Sequence, residues 1–80
     1  MSKMSLDLHD IFNKHREIER ALKMTLEEAR NNGVDILEII PGKGSGQLMK
    51  RVLKFLERNR PLYKRIEKDP RNWGRLFVRF

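Results

Sequence analysis

The stretch that most constrains the fold is a short apolar run followed directly by a glycine-rich turn. Ile36–Ile40 is rich in β-branched residues, which favours a buried strand. Residues 42–46 hold three glycines in five positions, and glycine suits a sharp turn because it lacks Cβ. Ser45 is a suitable N-cap for a following helix whose apolar face starts at Leu48. The sequence therefore predicts a strand, a glycine turn and a helix in series.

Such a turn has the features of an anion-binding site. It directs several backbone N–H groups and the positive end of a helix dipole at one point, and Lys43 lies in the middle of it. A Walker A loop would need glycine in place of Leu37 and Ser or Thr in place of Gly44, and a dinucleotide fingerprint would need glycine in place of Gln47. The turn therefore predicts a phosphate site, but neither an ATP site nor an NAD site. A strand-to-helix turn without a ligand is the alternative.

The positive charge of the chain is concentrated in the half that holds this turn. The 80 residues carry a net charge of +7. Residues 1–33 hold six Lys and Arg against six Asp and Glu, whereas residues 34–80 hold twelve against five. A basic half beside an anion-binding turn indicates nucleic acid as the partner. A basic solubilising surface is the alternative.

Composition narrows the class of protein further. Cysteine is absent, which excludes disulfides and thiolate metal sites. No apolar run approaches the roughly 20 residues that cross a bilayer, and the N-terminus lacks the apolar region of a signal peptide. We therefore expect a soluble cytoplasmic protein with no membrane partner.

Hydrophobic periodicity predicts the element order β-α-β-α-β-β. Strands are predicted at residues 5–9, 34–40, 62–67 and 75–80, and the second helix at residues 46–59. The first helix has Asp10 or Asn13 as its N-cap and ends at Gly33, which suits a left-handed C-cap. Its core-facing stripe consists of Ile18, Leu22, Leu26 and Ala29. A single domain is expected over residues 5–80, after a flexible N-terminus at residues 1–4.

The connection between the first two strands predicts where the polar residues meet. Two strands joined by a helix are expected to be parallel, with a right-handed crossover. If they are neighbours, their carboxyl ends lie side by side, where α/β sheets bind ligands. Asp7 and His9 are two positions apart and share one strand face, so this arrangement would place them beside the Gly42 turn.

Two motifs in this order resemble the small MutS-related (Smr) domain family. The first is Leu6-Asp7-Leu8-His9, which matches Leu-Asp-x-His, and the second is Gly42-Lys43-Gly44, which matches Gly-x-Gly. The resemblance covers residues 5–80 and implies an α/β fold, an α+β two-layer sandwich with two helices on one face of a four-stranded mixed sheet. That fold is similar to the C-terminal domain of translation initiation factor 3. Asp10 stands where glycine commonly follows the His, and Pro41 where His or Thr commonly precedes the turn.

The resemblance also implies a function. Smr domains bind nucleic acid, and several nick DNA or cleave RNA. They occur at the end of some MutS-like proteins, which connects them with DNA repair, and in short stand-alone proteins. The resemblance therefore implies an endonuclease that is part of, or a partner to, a larger nucleic-acid-processing protein. Carried over by motif, Asp7 and His9 are the catalytic pair, and Gly42 and Gly44 form the turn.

The residues themselves suit this chemistry. His9 can transfer a proton near neutral pH, and Asp7 can orient it. The predicted nucleic-acid-binding residues are Gly42, Lys43, Gly44, Ser45, Gly46, Lys50, Arg51 and Arg75, with Arg79 beside Arg75 on the open sheet face. No cofactor is predicted; Asp7, His9 and Glu38 are the nearest candidates for a divalent ion. His15 is expected to be packed or half-exposed, and Tyr63 and Trp73 to have packing roles, with base stacking as the alternative. A non-catalytic RNA- or DNA-binding module and a basic protein-interaction domain remain as alternatives.

Overall fold

The computed structural model describes residues 2–8, 14–41, 46–71 and 74–80, without the side chain of His15. The elements in chain order are β1 (Lys3–Asp7), α1 (His15–Asn31), β2 (Ile36–Ile40), α2 (Gln47–Arg58), β3 (Arg65–Lys68) and β4 (Leu76–Arg79). A single 3₁₀ turn, Arg60–Leu62, connects α2 to β3. The predicted order β-α-β-α-β-β is therefore confirmed.

The four strands form one mixed sheet in the order β1-β2-β4-β3. β1 and β2 are parallel neighbours, as the helical connection between them predicts. β4 pairs antiparallel with both β2 and β3. The four-stranded mixed sheet of the α/β fold is thus confirmed.

Both helices cover the same face of this sheet. Alternation along each strand directs one set of apolar side chains toward the helices, and these join the helical stripes in a single cluster. The fully buried members from the sheet are Leu37, Ile39, Leu76 and Val78, and those from the helices are Ile18, Leu22, Leu26, Val52 and Leu56. The opposite side of the sheet, here called the open face, presents Lys3, Ser5, Glu38, Phe77 and Arg79.

Glycine ends α1 in the predicted way. Gly33 has a φ of 68°, which is in the left-handed region. Its N–H donates to the Arg30 carbonyl, and the Val34 N–H donates to the Ala29 carbonyl, which is the hydrogen-bond pattern of a Schellman motif. At the other end, α1 begins at His15, with Lys14 in the cap position and no side-chain cap bond. The predicted caps Asp10 and Asn13 lie outside the described residues.

Other boundaries differ from the prediction for identifiable reasons. Lys3 and Met4, assigned to a flexible N-terminus, pair with Ile36 and Leu37 because the Ser2 carbonyl already accepts hydrogen bonds from the start of β2. β3 begins at Arg65 and not at residue 62, since the chain from Arg60 forms the 3₁₀ turn with proline near its start.

α2 begins at Gln47, with Gly46 and not Ser45 in the position before it. Gly46 has a φ of 81°, a conformation that glycine adopts without penalty, and it makes no side-chain cap bond. The predicted cap at Ser45 is therefore displaced by one residue, and Ser45 itself lies outside the described residues. None of the described helices is long and apolar enough to cross a membrane.

Candidate functional site

The carboxyl ends of β1 and β2 lie side by side at one edge of the sheet. Asp7 pairs with Ile40, and the Leu8 N–H donates to the Ile40 carbonyl at 3.0 Å. Leu8 is fully buried and Pro41 is buried, whereas Asp7 is exposed. Buried residues thus hold the two strand ends at the point where each chain segment leaves the sheet.

The two predicted motifs continue directly from these buried residues. His9 follows Leu8, and the glycine turn follows Pro41. His9, Gly42, Lys43, Gly44 and Ser45 themselves lie outside the described residues, as does Trp73. The parallel pairing on which their predicted meeting depends is confirmed, and their meeting stays a prediction.

The start of α2 is electrostatically suited to an anion. Its first turn contains no acidic residue, and the Gly46 carbonyl accepts the first helical hydrogen bond, from the Lys50 N–H at 3.1 Å. Lys50 and Lys54 are exposed and Arg51 is partly exposed. Among the described residues no carboxylate lies within ion-pair distance of these three cations. Their charge therefore adds to the helix dipole and is available to a ligand.

Arg75, the other predicted cation, is in a different situation. Its guanidinium donates to Glu38 Oε2 at 2.8 Å from Nη1 and to Asp69 Oδ2 at 2.7 Å from Nε. These hydrogen bonds raise the pKa of Arg75. Arg75 lies on the open face as predicted, but two carboxylates already share its charge, so it offers a phosphate less attraction than Lys50 does.

The buried partner of Arg75 is Glu38. The sequence predicted its place in the second strand but not its contacts. Glu38 lies mid-strand in β2 and is only 7% exposed. It accepts hydrogen bonds from Arg75 and from Ser5 Oγ at 3.1 Å, and Lys3 Nζ lies 3.5 Å from it. Burial by itself would raise the pKa of Glu38, but Arg75, Ser5 and Lys3 outweigh it, and the pKa is lowered.

Protein donors surround the carboxylate of Glu38. One of its oxygens accepts from Ser5 and the other from Arg75. Within the described part of the chain, no group of three His, Cys, Asp or Glu side chains is arranged to hold a metal ion. A charged residue within an apolar strand was the sequence signal for this network, since a buried carboxylate requires partners.

The same network surrounds an aromatic ring on the open face. The Arg75 guanidinium lies 5.4 Å and Lys3 Nζ 5.9 Å from the centroid of the half-buried Phe77 ring. Beside them is a shallow depression of about 340 Å³. Glu67 accepts from Arg79 and lies 3.3 Å from Arg65 Nε, and the Arg79 bond lowers the pKa of Glu67.

Tyr63 belongs to the structural residues, as expected. Its hydroxyl donates to the Leu56 carbonyl near the end of α2 at 2.6 Å, and its ring packs against the core. Burial raises the pKa of this phenol. The hydroxyl therefore satisfies a carbonyl at the end of α2, where helices lack backbone donors.

Comparison with known proteins gives two findings. A family model described as the Smr domain matches residues 6–80. The Smr domain of Thermus thermophilus MutS2 is similar in structure, with a TM-score of 0.77 and 23% sequence identity over 99% of this chain and 96% of that one. No curated protein matches the chain. At 23% identity the structural likeness supports the fold alone. The family model covers nearly the whole sequence.

Proposed function

The chain belongs to the Smr domain family, and from this premise we propose that it binds nucleic acid and hydrolyses a phosphodiester bond at the carboxyl ends of β1 and β2. The observation that carries the proposal is the hydrogen bond between Leu8 and Ile40, together with the parallel pairing of Asp7 with Ile40. It fixes the two strand ends from which both family motifs continue. A ligand site beyond the carboxyl ends of parallel strands is also what α/β sheets favour.

In the proposed site, the glycine turn holds the scissile phosphate. Backbone N–H groups of residues 42–46 and the Lys43 ammonium would bind its non-bridging oxygens. The dipole of α2 stabilises the negative charge that develops as the phosphorus is attacked. The left-handed Gly46 supports this reading, because it directs the chain into α2 where a side-chain cap would otherwise occupy the first N–H groups.

His9 and Asp7 supply the proton transfer in this proposal. The imidazole of His9 takes a proton from the attacking water, or from a ribose 2′-hydroxyl if the substrate is RNA. As this oxygen bonds to phosphorus, the P–O bond to the leaving oxygen breaks, and the leaving oxygen takes a proton from solvent. The Asp7 carboxylate, exposed at the end of β1, orients the imidazole and stabilises its protonated form. If the chain stays extended from Asp7 to His9, the two side chains would leave the same face and could meet.

Cations of α2 extend the proposed site along the nucleic-acid backbone. Lys50, Arg51 and Lys54 have no carboxylate partner among the described residues and so offer phosphates their full charge. If binding neutralises on the order of four phosphates of duplex DNA, log K falls with a slope near −3.6 against log salt. An affinity that is indifferent to salt would contradict the proposal.

The catalytic part is tested by comparing the wild type with His9→Ala on supercoiled plasmid and on single- and double-stranded RNA. We expect His9→Ala to lose cleavage and to keep binding. His15→Ala is the matched control, because it removes the other histidine of the chain, and we expect it to cleave like the wild type. If the wild type cuts none of these substrates, or if His9→Ala cuts as well as the wild type, the catalytic assignment fails.

The phosphate-binding part is tested with Gly44→Val, which places a branched side chain in the turn. We expect weaker binding of nucleic acid in a protein that still folds, and an unchanged affinity would dismiss the turn as the phosphate site. Binding without cleavage by the wild type would favour the non-catalytic module, consistent with Asp10 and Pro41 at two motif-flanking positions. We further propose that the domain acts within, or together with, a larger nucleic-acid-processing protein in the cytoplasm.

A further inference from the structure

The open face carries an aromatic ring in a setting that the proposed phosphate site does not use. Phe77 lies in β4 between Glu38 of β2 and Glu67 of β3, with its ring half-buried and not covered by either helix. Arg75 and Lys3 lie against the ring at cation–π distance. A half-buried apolar ring in a polar surface, with two cations over it, suggests a binding function more than a packing function.

The charged side chains around the ring are ion-paired, and their net charge is positive. Four cationic side chains of the open face lie around the ring against three carboxylates, which leaves one positive charge in excess; they are Lys3, Arg65, Arg75 and Arg79 against Glu38, Glu67 and Asp69. The carboxylates fix the long basic side chains in one arrangement, so less conformational entropy is lost when a ligand arrives. Lys3 keeps a side chain that is 55% exposed and can reach a phosphate.

We infer that the open face binds a single-stranded segment of nucleic acid, with one unpaired base stacked on Phe77 and a flanking phosphate at the exposed Lys3. Platforms of this kind combine an aromatic ring with cations that follow the backbone. A duplex does not fit the ring, because its bases are already stacked on one another.

The surface around Phe77 and Lys3 is continuous with the proposed catalytic edge at Asp7. The inference rests on the proposed function in naming nucleic acid as the ligand. The open face along β1 presents Lys3, Ser5 and Asp7, and β1 ends at Asp7, at the catalytic edge. Lys3 and Asp7 are four residue steps apart along β1, which is about 13 Å. A single-stranded nucleic acid bound at Phe77 can therefore extend along β1 to the Leu-Asp-x-His motif. The preferred substrate would then be a single-stranded region next to a duplex.

The experiment measures the affinity of the wild type, Phe77→Leu and Phe77→Tyr for labelled oligouridylate and for a hairpin duplex with the same number of phosphates. We expect Phe77→Leu to weaken binding of the single strand by roughly tenfold and to leave the hairpin affinity unchanged. Phe77→Tyr keeps the aromatic face and should retain the affinity. Phe80→Leu is the matched control, because that ring packs against the core, and its single-strand affinity should equal that of the wild type.

A second measurement does not depend on the stability of a variant. Oligonucleotides with photoreactive 4-thiouridine are cross-linked to the wild-type protein, and the attachment site is mapped by mass spectrometry. Cross-links at Phe77 support the inference, and cross-links confined to α2 overturn it. Equal single-strand affinity of wild type and folded Phe77→Leu also overturns it. Binding of the hairpin alone removes this inference and leaves the proposed function standing, whereas binding of neither ligand removes both.

Discussion

Gly46 is the residue at which the structure gives the sharpest prediction. Its φ of 81° lies in the left-handed region, and a Cβ built at this position would meet no atom within 4 Å. The substitution Gly46→Ala therefore adds no steric clash, and its cost is that of placing an L-residue in a left-handed conformation. That cost is about 1–2 kcal/mol.

This cost is large for a domain of this size. It lowers the ratio of folded to unfolded protein by roughly 5- to 30-fold. For an 80-residue domain it lowers the Tm by roughly 4–16 °C. Gly46→Asn should cost less, because the short polar side chain of Asn tolerates the left-handed region. Urea unfolding followed by circular dichroism measures each variant, and an unchanged m-value shows that the compactness of the denatured state is the same.

Gly33→Ala is the matched control for the functional part of this prediction. Gly33 has a φ of 68° and an equally empty Cβ position, so the same stability should be lost. Its carbonyl accepts from Ser2 Oγ, which places it at the amino-terminal end of β1, away from the proposed phosphate site. We expect Gly46→Ala to weaken nucleic-acid binding at a temperature where both variants are folded, and Gly33→Ala to leave it unchanged.

Two results would refute the reasoning about Gly46. If Gly46→Ala is as stable as the wild type, the residue does not adopt the left-handed conformation in solution. If the loss is well above about 3 kcal/mol, the added methyl group meets atoms that the structure does not place there, and the cost is steric and not conformational.

Three further predictions follow from the charges and hydrogen bonds of the described residues. Glu38→Gln should destabilise the fold at pH 7. Because the folded-state pKa of Glu38 is lowered, the stabilising contribution of its carboxylate is present above the unfolded-state pKa and is lost as the pH falls below about 4. The stabilities of wild type and Glu38→Gln should therefore converge below about pH 4, and a difference that stays constant with pH would contradict this. Tyr63→Phe should cost about 1 kcal/mol through the lost bond to Leu56. Because the folded-state pKa of Tyr63 is raised, its contribution is present below about pH 10 and lost above it, and a wild type whose alkaline unfolding matches that of Tyr63→Phe would argue against this. Lys50→Gln should weaken duplex binding and reduce the salt slope by about 0.9, whereas Lys23→Gln on α1 should do neither.

Features that depend on neighbouring residues were predictable from the sequence. The spacing of Ile18, Leu22 and Leu26 determines the buried stripe of α1, because helical geometry places residues three and four apart on one side. The left-handed end of α1 at Gly33 follows from the absence of a Cβ. The parallel pairing of β1 with β2 follows from the helix that joins them, and with it the shared edge of Asp7 and Ile40.

The element boundaries were less predictable, because they depend on pairing partners. Lys3 joins β1 since β2 offers it Ile36 as a partner, and no local pattern marks this position. Tyr63 was assigned to a strand from its apolar ring, but its hydroxyl is bonded to the end of α2, and the strand starts at Arg65. Propensity along the chain does not include such contacts.

The sequence by itself determined which residues face the core, the order of the elements and the parallel pairing of β1 with β2. Only the tertiary structure decided that β4 lies between β2 and β3, and that Arg75 meets Glu38 across 37 positions of sequence. The first set follows from backbone geometry and repeats every two to four residues. The second depends on contacts between distant segments, whose energies no local pattern of residues records.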